Sequence, residues 1–255
     1  MSQEKRRGRK KHRRRKLKKW VKVSFLVIVI IVALILIGIF GFKLQSVTCT
    51  SDLDQFTDQE VNAYMSEQKI DNTLVFWFKS LIGENTPLEL YEEYKVKLLS
   101  PSKVKITGYE KKLQGYIKKD KLYYYFDENG TILKISDEKI KDIVPVKGLE
   151  ATELKLFKKI KVKDEKSLET ILTVTSSVEA YNYKVKQYSI NKNNEVTMNI
   201  KNVKVQLGKK TNLDKKLKDF NDMYKNVIKY KGTLNMKHAS EDGSYTLKKR
   251  EEKKK

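Results

Sequence analysis

The chain has 255 residues, with 55 Lys and Arg against 32 Asp and Glu, a formal net charge of +23. One cysteine excludes an internal disulfide, and two histidines leave a soft-metal centre or a histidine-dependent triad almost nothing to draw on. Three prolines and eleven glycines are too few for a disordered stalk, so the chain has room for one or two packed domains.

The charge is uneven. Residues 1–22 hold thirteen Lys/Arg and one Glu, net +12, while the other 233 residues together carry +11. A run such as RRGRKKHRRRKLKK is a candidate nucleic-acid arm. It lacks interleaved aromatics and abuts an apolar segment, so no nucleic-acid partner is expected. That segment, Val23–Phe42, is twenty residues without a charge. As a helix it spans about 30 Å, the thickness of bilayer hydrocarbon, and it lacks the polar face of a soluble helix. Lys22 and Lys43 mark its ends, and Trp20 stands where amphipathic rings collect. The rivals are a cleaved signal peptide and a lipoprotein signal. Nothing like A-x-A follows Phe42, and Ser46-Val47-Thr48 before Cys49 lacks the leucine and small residue of a lipidation signal. One retained membrane span is expected, with a basic cytoplasmic tail (1–22) and everything from Lys43 outside: a single-pass type II protein of the cell membrane.

Beyond the span, Val47 and Cys49 alternate with Ser46, Thr48 and Thr50 as a short strand. Thr57 as N-cap, Glu60 three residues on, and the Phe56/Val61 pair form a capping box and staple for a helix to about Gln68. A second helix starts at Asp71 or Asn72. Its Leu74, Trp77, Phe78, Leu81 and Ile82 share one face, and Gly83 follows as C′. Such an aromatic stripe is either core or a binding face, and its spacing favours core. Val96 and Leu98, the turn Ser100-Pro101-Ser102, then Val104 and Ile106 give a hairpin. The order β-α-α-β-β is a small sheet covered on one face by two helices.

From Leu113 the pattern is mostly β. Strands are expected at Gly115–Ile117, Leu122–Phe126 and Thr131–Ile135, with Asp127–Gly130 as a hairpin turn. Leu168, Ile171 and Leu172 give a helical signal. A further hairpin puts Val196, Met198 and Ile200 on one face and continues through Val203, Val205 and Leu207 to Gly208. Thr211 or Asn212 caps a last helix, whose Leu213, Leu217, Phe220, Tyr224 and Val227 keep to one side. Two final strands, Thr233–Met236 and Ser244–Leu247, join through Ser240–Gly243, and the charged Lys248–Lys255 reads as a solvated tail. The fold class is α+β: a membrane helix (23–42), the β-α-α-β-β module (43–111), a mostly β domain with two helices (112–247) and a disordered basic tail (248–255).

Catalytic constellations are poorly supplied. His12 lies across the membrane from His238, glycines such as Gly108 and Gly115 are isolated, and the carboxylate pairs Glu92-Glu93 and Glu241-Asp242 fall on polar segments. Asn129-Gly130-Thr131 is a glycosylation sequon only in a eukaryotic secretory route. No enzyme activity, cofactor or metal is expected.

The order of parts resembles the bitopic bacterial FtsQ/DivIB cell-division family, with its POTRA module and following β domain. Leu99–Ile106 is similar to the family's P-x-x-[hydrophobic]-x-[hydrophobic] strand pair. Glu110-Lys111 stands where the family carries Glu-Arg. Tyr124–Gly130 resembles the hydrophobic-D-x-x-G hairpin, and Pro145–Gly148 the proline-x-x-glycine after it. Val205–Gly208 with the 211–228 helix resembles V-x-L-G and its helix. Thr233–Lys237 stands where I-D-L-R is common, with Asn235 for aspartate and Lys237 for arginine. The resemblance implies a non-enzymatic adaptor of the septal synthase complex, at the division septum. Its implied partners are bitopic proteins of the FtsL and DivIC or FtsB type, and its implied docking site is the last strand. On that reading Ser244, Tyr245, Thr246 and Leu247 take a partner strand by edge addition, with Tyr245 as a side-chain anchor. A different membrane-anchored POTRA assembly factor, for secretion or sporulation, is the alternative.

Overall fold

The computed structural model describes residues 4–84, 86–238 and 244–250, with side chains from Lys19 onward. The turn expected at Ser240–Gly243, the Glu241-Asp242 pair and the tail beyond Arg250 lie outside the described residues. The chain divides into two compact units, Met1–Glu110 and Lys111–Lys255.

The first unit opens with α1 (Glu4–Phe40), of which Lys19–Phe40 is long and apolar enough to cross a membrane. Its apolar side chains from Val23 to Phe40 stand exposed, as a lipid-facing helix requires. The helix stops two residues short of the expected Phe42. Its last carbonyls find donors in the loop before the third helix instead of in a further turn. Asn72 Nδ2 donates to the Gly38 carbonyl (2.9 Å), and Thr73 N and Oγ1 lie 2.9 and 3.1 Å from the Phe42 carbonyl.

β1 (Ser46–Ser51), α2 (Asp58–Glu67), α3 (Thr73–Leu81), β2 (Tyr91–Ser100) and β3 (Lys103–Glu110) give the β-α-α-β-β order. The sheet order is β1-β3-β2, with β1 parallel and β2 antiparallel to β3. Thr57 and Glu60 close the capping box of α2, which buries Val61, Tyr64 and Met65. Glu110 is buried, and its carboxylate accepts from Ser51 Oγ and from Gln55 N, both at 2.7 Å. Half-buried Cys49 donates its N–H to Asp58 Oδ1 (2.7 Å), and burial pushes its thiol up to about 11.

α3 corrects the expected core stripe. Phe76 and Thr73 are its buried residues, and the Phe76 ring stacks on Tyr94 at 6.0 Å between centroids. Phe78, Leu81 and Ile82 are instead more than half exposed, as is Val75, while Leu74 and Trp77 are half-buried. The helix is apolar on nearly every side, so period alone does not choose the buried face. Thr73 chooses it: its hydroxyl lies 2.5 Å from the Pro101 carbonyl, and Phe76, one turn on, falls on the same side.

In the second unit β4 (Gly115–Lys119), β5 (Leu122–Phe126) and β6 (Ile132–Ser136) form a meander. β7 (Val146–Lys147) follows, and β8 (Ala151–Glu153) pairs with β9 (Lys161–Val162). Then come α4 (Glu165–Glu179), β10 (Val185–Ile190), β11 (Val196–Ile200), β12 (Val203–Gly208), α5 (Leu213–Val227), β13 (Gly232–Asn235) and β14 (Thr246–Lys249). The large sheet runs β14-β13-β12-β11-β10-β7. Val196, Met198, Ile200, Val205 and Leu207 from that sheet are buried in one cluster with Ile171, Val174 and Phe220 from the helices. Asn212 is the N-cap of α5 as expected, yet it sits in the left-handed region and makes no side-chain cap bond.

The Asp127 turn carries a defect. Asp127 Oδ1 accepts from Asn129 N (3.0 Å) and Thr131 N (2.8 Å). Among the described residues its buried Oδ2 has no hydrogen-bond donor, and Lys111 Nζ stands 3.9 Å away. A guanidinium offers a fork that reaches further than an ammonium. Lys111→Arg should therefore stabilise the second unit by about 1 kcal/mol, the scale of one satisfied buried acceptor. An unchanged or lowered melting temperature would show that the gap is already bridged.

Candidate functional site

β14 is the terminal strand of the six-stranded sheet, paired antiparallel with β13. Among the described residues no strand pairs with its outer edge. It spans Thr246–Lys249, two residues later than the expected Ser244–Leu247, so Ser244 and Tyr245 precede it, and Lys248 and Lys249, expected in the tail, belong to it. The shift follows from side-chain direction. Tyr245 and Leu247 are half-buried against the core, whereas Thr246, Lys248 and Lys249 are exposed. An edge strand tolerates lysines because pairing uses the backbone while the ammonium groups stay in water.

Tyr245 donates its hydroxyl to Asp219 Oδ2 on α5 (2.9 Å). Burial, then the Asp219 carboxylate, pushes that hydroxyl up to about 12. The ring thus fixes the start of β14 onto α5.

The ladder tells which backbone groups face outward. Gly232 stands opposite Lys249, and Arg250 N donates to the Lys231 carbonyl at 2.8 Å. Hydrogen-bonded and non-bonded pairs alternate along an antiparallel ladder. Thr246 and Lys248 therefore spend their N–H and C=O groups on β13. Leu247 and Lys249 present theirs to the open edge.

At one end of this sheet a hollow of about 760 Å³ opens between the strand ends. Lys186, Lys201, Lys204, Lys231, Lys248, Lys249 and Arg250 line it, with no carboxylate among the described lining residues. Lys249 Nζ rests 4.0 Å from the Tyr230 ring centroid. Seven like charges around one hollow set a potential that draws an anionic group and raises its encounter rate. The sequence reading missed this cluster, because Lys186 and Arg250 meet only through the strand order. The crossover from β12 through α5 to parallel β13 brings them to one end.

The other candidates lie elsewhere. Glu92 and Glu93 are exposed on β2. His238 lines a separate hollow with Glu195 and Lys237, whose Nζ and Oε2 are 2.6 Å apart. That pairing holds the Glu195 carboxyl below its usual range.

Residues 116–240, from β4 through β13, match the family described as FtsQ/DivIB, C-terminal related. Two curated relatives are named Cell division protein DivIB, from Clostridium botulinum strain Loch Maree (type A3) and strain Hall (type A). Each is 27% identical over 163 residues, 63% of this chain and 62% of the relative's own length. The chain thus matches less than two thirds of either relative. Over this C-terminal domain, the chain is similar to the FtsQ/DivIB family.

Proposed function

We propose that the chain is a non-enzymatic, membrane-anchored adaptor of the bacterial division site. It binds small bitopic partners of the FtsL and DivIC or FtsB type outside the membrane and helps assemble the septal peptidoglycan synthesis machinery. Its working parts are a basic cytoplasmic tail (1–22), the span, a POTRA-like module (43–111) and a β domain, from residue 112 through β14, that docks the partner. The match of residues 116–240 to the FtsQ/DivIB-related family, and relatives named as cell-division proteins, support a division role. The +12 of residues 1–22 supports a cytoplasmic N-terminus.

The observation that carries the docking reading is the outer edge of β14 beside the cationic hollow. An uncovered strand offers a partner strand its N–H and C=O groups, and the surrounding lysines oppose self-pairing while favouring acidic flanks. Edge addition uses the outward groups of Leu247 and Lys249, and the seven cations meet carboxylates that border the partner's strand.

Proline substitution tests this, because it removes one backbone donor at a chosen position. Lys249→Pro removes an outward N–H and adds a ring at the edge. Capture of the bitopic partners by the full chain should weaken about ten-fold, with the melting transition nearly unmoved. Lys249→Ala, which keeps the N–H, should retain most of the capture. Full partner recovery by Lys249→Pro at unchanged stability would move the docking site off this edge.

A further inference from the structure

Among the described residues, nothing in its own unit buries the outer face of α3. Val75, Phe78, Leu81 and Ile82 are all more than half exposed, and Leu74 and Trp77 flank them half-buried. Three large apolar side chains on a nine-residue helix, with a fourth on its C-cap Ile82, make a patch that a water-facing surface rarely carries without an occupant.

The position of α3 identifies the occupant. The Asn72 side chain, its N-cap, donates to the Gly38 carbonyl inside the last turns of α1. Thr73 N donates to the Phe42 carbonyl, and Leu44 N to the Asp71 carbonyl (2.7 Å). The first turn of α3 is thereby fastened to the point where α1 leaves the hydrocarbon. At 1.5 Å per residue Phe78 is about 8 Å along the helix from Thr73, so α3 keeps Leu74, Val75 and Phe78 within reach of the headgroup layer. Exposed Lys43 ends the span and exposed Lys79 borders the apolar face. Both suit lysines that reach up to lipid phosphates while their stems cover apolar surface.

We propose that α3 is an interfacial helix, its Val75–Phe78–Ile82 face seated in the outer leaflet of the membrane that α1 crosses. The span and α3 together form a two-point anchor, and the first unit then sits on the bilayer instead of swivelling at the end of a tether. The inference rests on α1 as a membrane span.

Position-specific fluorescence in the full chain tests it. With Trp20→Phe and Trp77→Phe as background, Phe78→Trp places one indole on the outer face of α3. Tyr109→Trp places one at the other end of β3, about 20 Å along the strand from Lys103. Each chain is reconstituted into vesicles of phosphatidylethanolamine and phosphatidylglycerol, with or without bromine on the acyl chains. A ring buried 5–10 Å into the boundary should lose about half its emission to the brominated lipid in the Phe78→Trp chain. The Tyr109→Trp chain should lose none and should respond to aqueous acrylamide. Acrylamide access with no bromine quenching at position 78 would overturn the proposal. Protection from both quenchers would overturn it too, and would assign the face to a protein partner. An Ile31→Trp chain checks the span: failure of bromine quenching there would sink the membrane reading of α1 itself.

Discussion

Replacing Phe76 with Ala should cost about 3–5 kcal/mol, the usual range for removing a buried aromatic ring. The ring is almost fully buried, stacks on Tyr94 and lies one turn beyond the Thr73 tie. A small domain has roughly 5–15 kcal/mol in all, so hydrogen exchange across β2 and β3 should rise sharply. Phe78→Ala, two residues on, removes a ring that is about half exposed, and exchange in the sheet should shift by less than about 1 kcal/mol. Periodicity alone assigns these roles the other way round. Equal protection in the two variants would restore Phe78 to the core.

Gly148→Ala should be the most damaging single-carbon change in the second unit. Gly148 has φ of +88°, and a Cβ there would lie 2.0 Å from the Ile190 carbonyl oxygen and 3.1 Å from its carbon. Both atoms are backbone, at the end of β10 beside its partner β7, so relief requires the strands to part. Left-handed backbone alone costs a residue with a Cβ about 1–2 kcal/mol, and the overlap should carry the total above about 4 kcal/mol. Gly130→Ala is the control. Its φ of +77° is similar, but the nearest atom is the Leu172 Cδ1 at 3.0 Å, on a side chain that can turn away. Loss of a cooperative melt is expected for Gly148→Ala, against a shift of about 1–2 kcal/mol for Gly130→Ala. Similar melting of the two variants would mean that the β7–β10 contact gives way easily.

Much of the fold was legible because local chemistry and tertiary packing agree. The Thr57–Glu60 box, Asn72 as a cap, the left-handed Gly83 and the Asp127–Gly130 turn each require a residue type that the sequence places there. Strands with one buried face, such as Val196-Met198-Ile200, were legible by alternation. β7, β8 and β9 were missed, because two or three residues cannot display a period. The outer face of α3 was misread because a helix that is apolar all round gives no phase. At the candidate site, the strand was placed within two residues. Its outward groups were not legible, because they depend on the register of Arg250 against Lys231. The cationic hollow was not legible either, since lysines scattered from position 186 to 249 converge only once the strands are ordered.

The thiol of Cys49 has a consequence outside recognition. With burial holding it near 11, only about one molecule in ten thousand carries the thiolate at neutral pH. Coupling of two copies through it in an oxidising medium is slowed accordingly. Lifting β1 from β3 would expose the thiol fully and return it towards its ordinary value, so alkylation speeds up when that strand opens. A rise in its rate of modification therefore reports the opening of that strand.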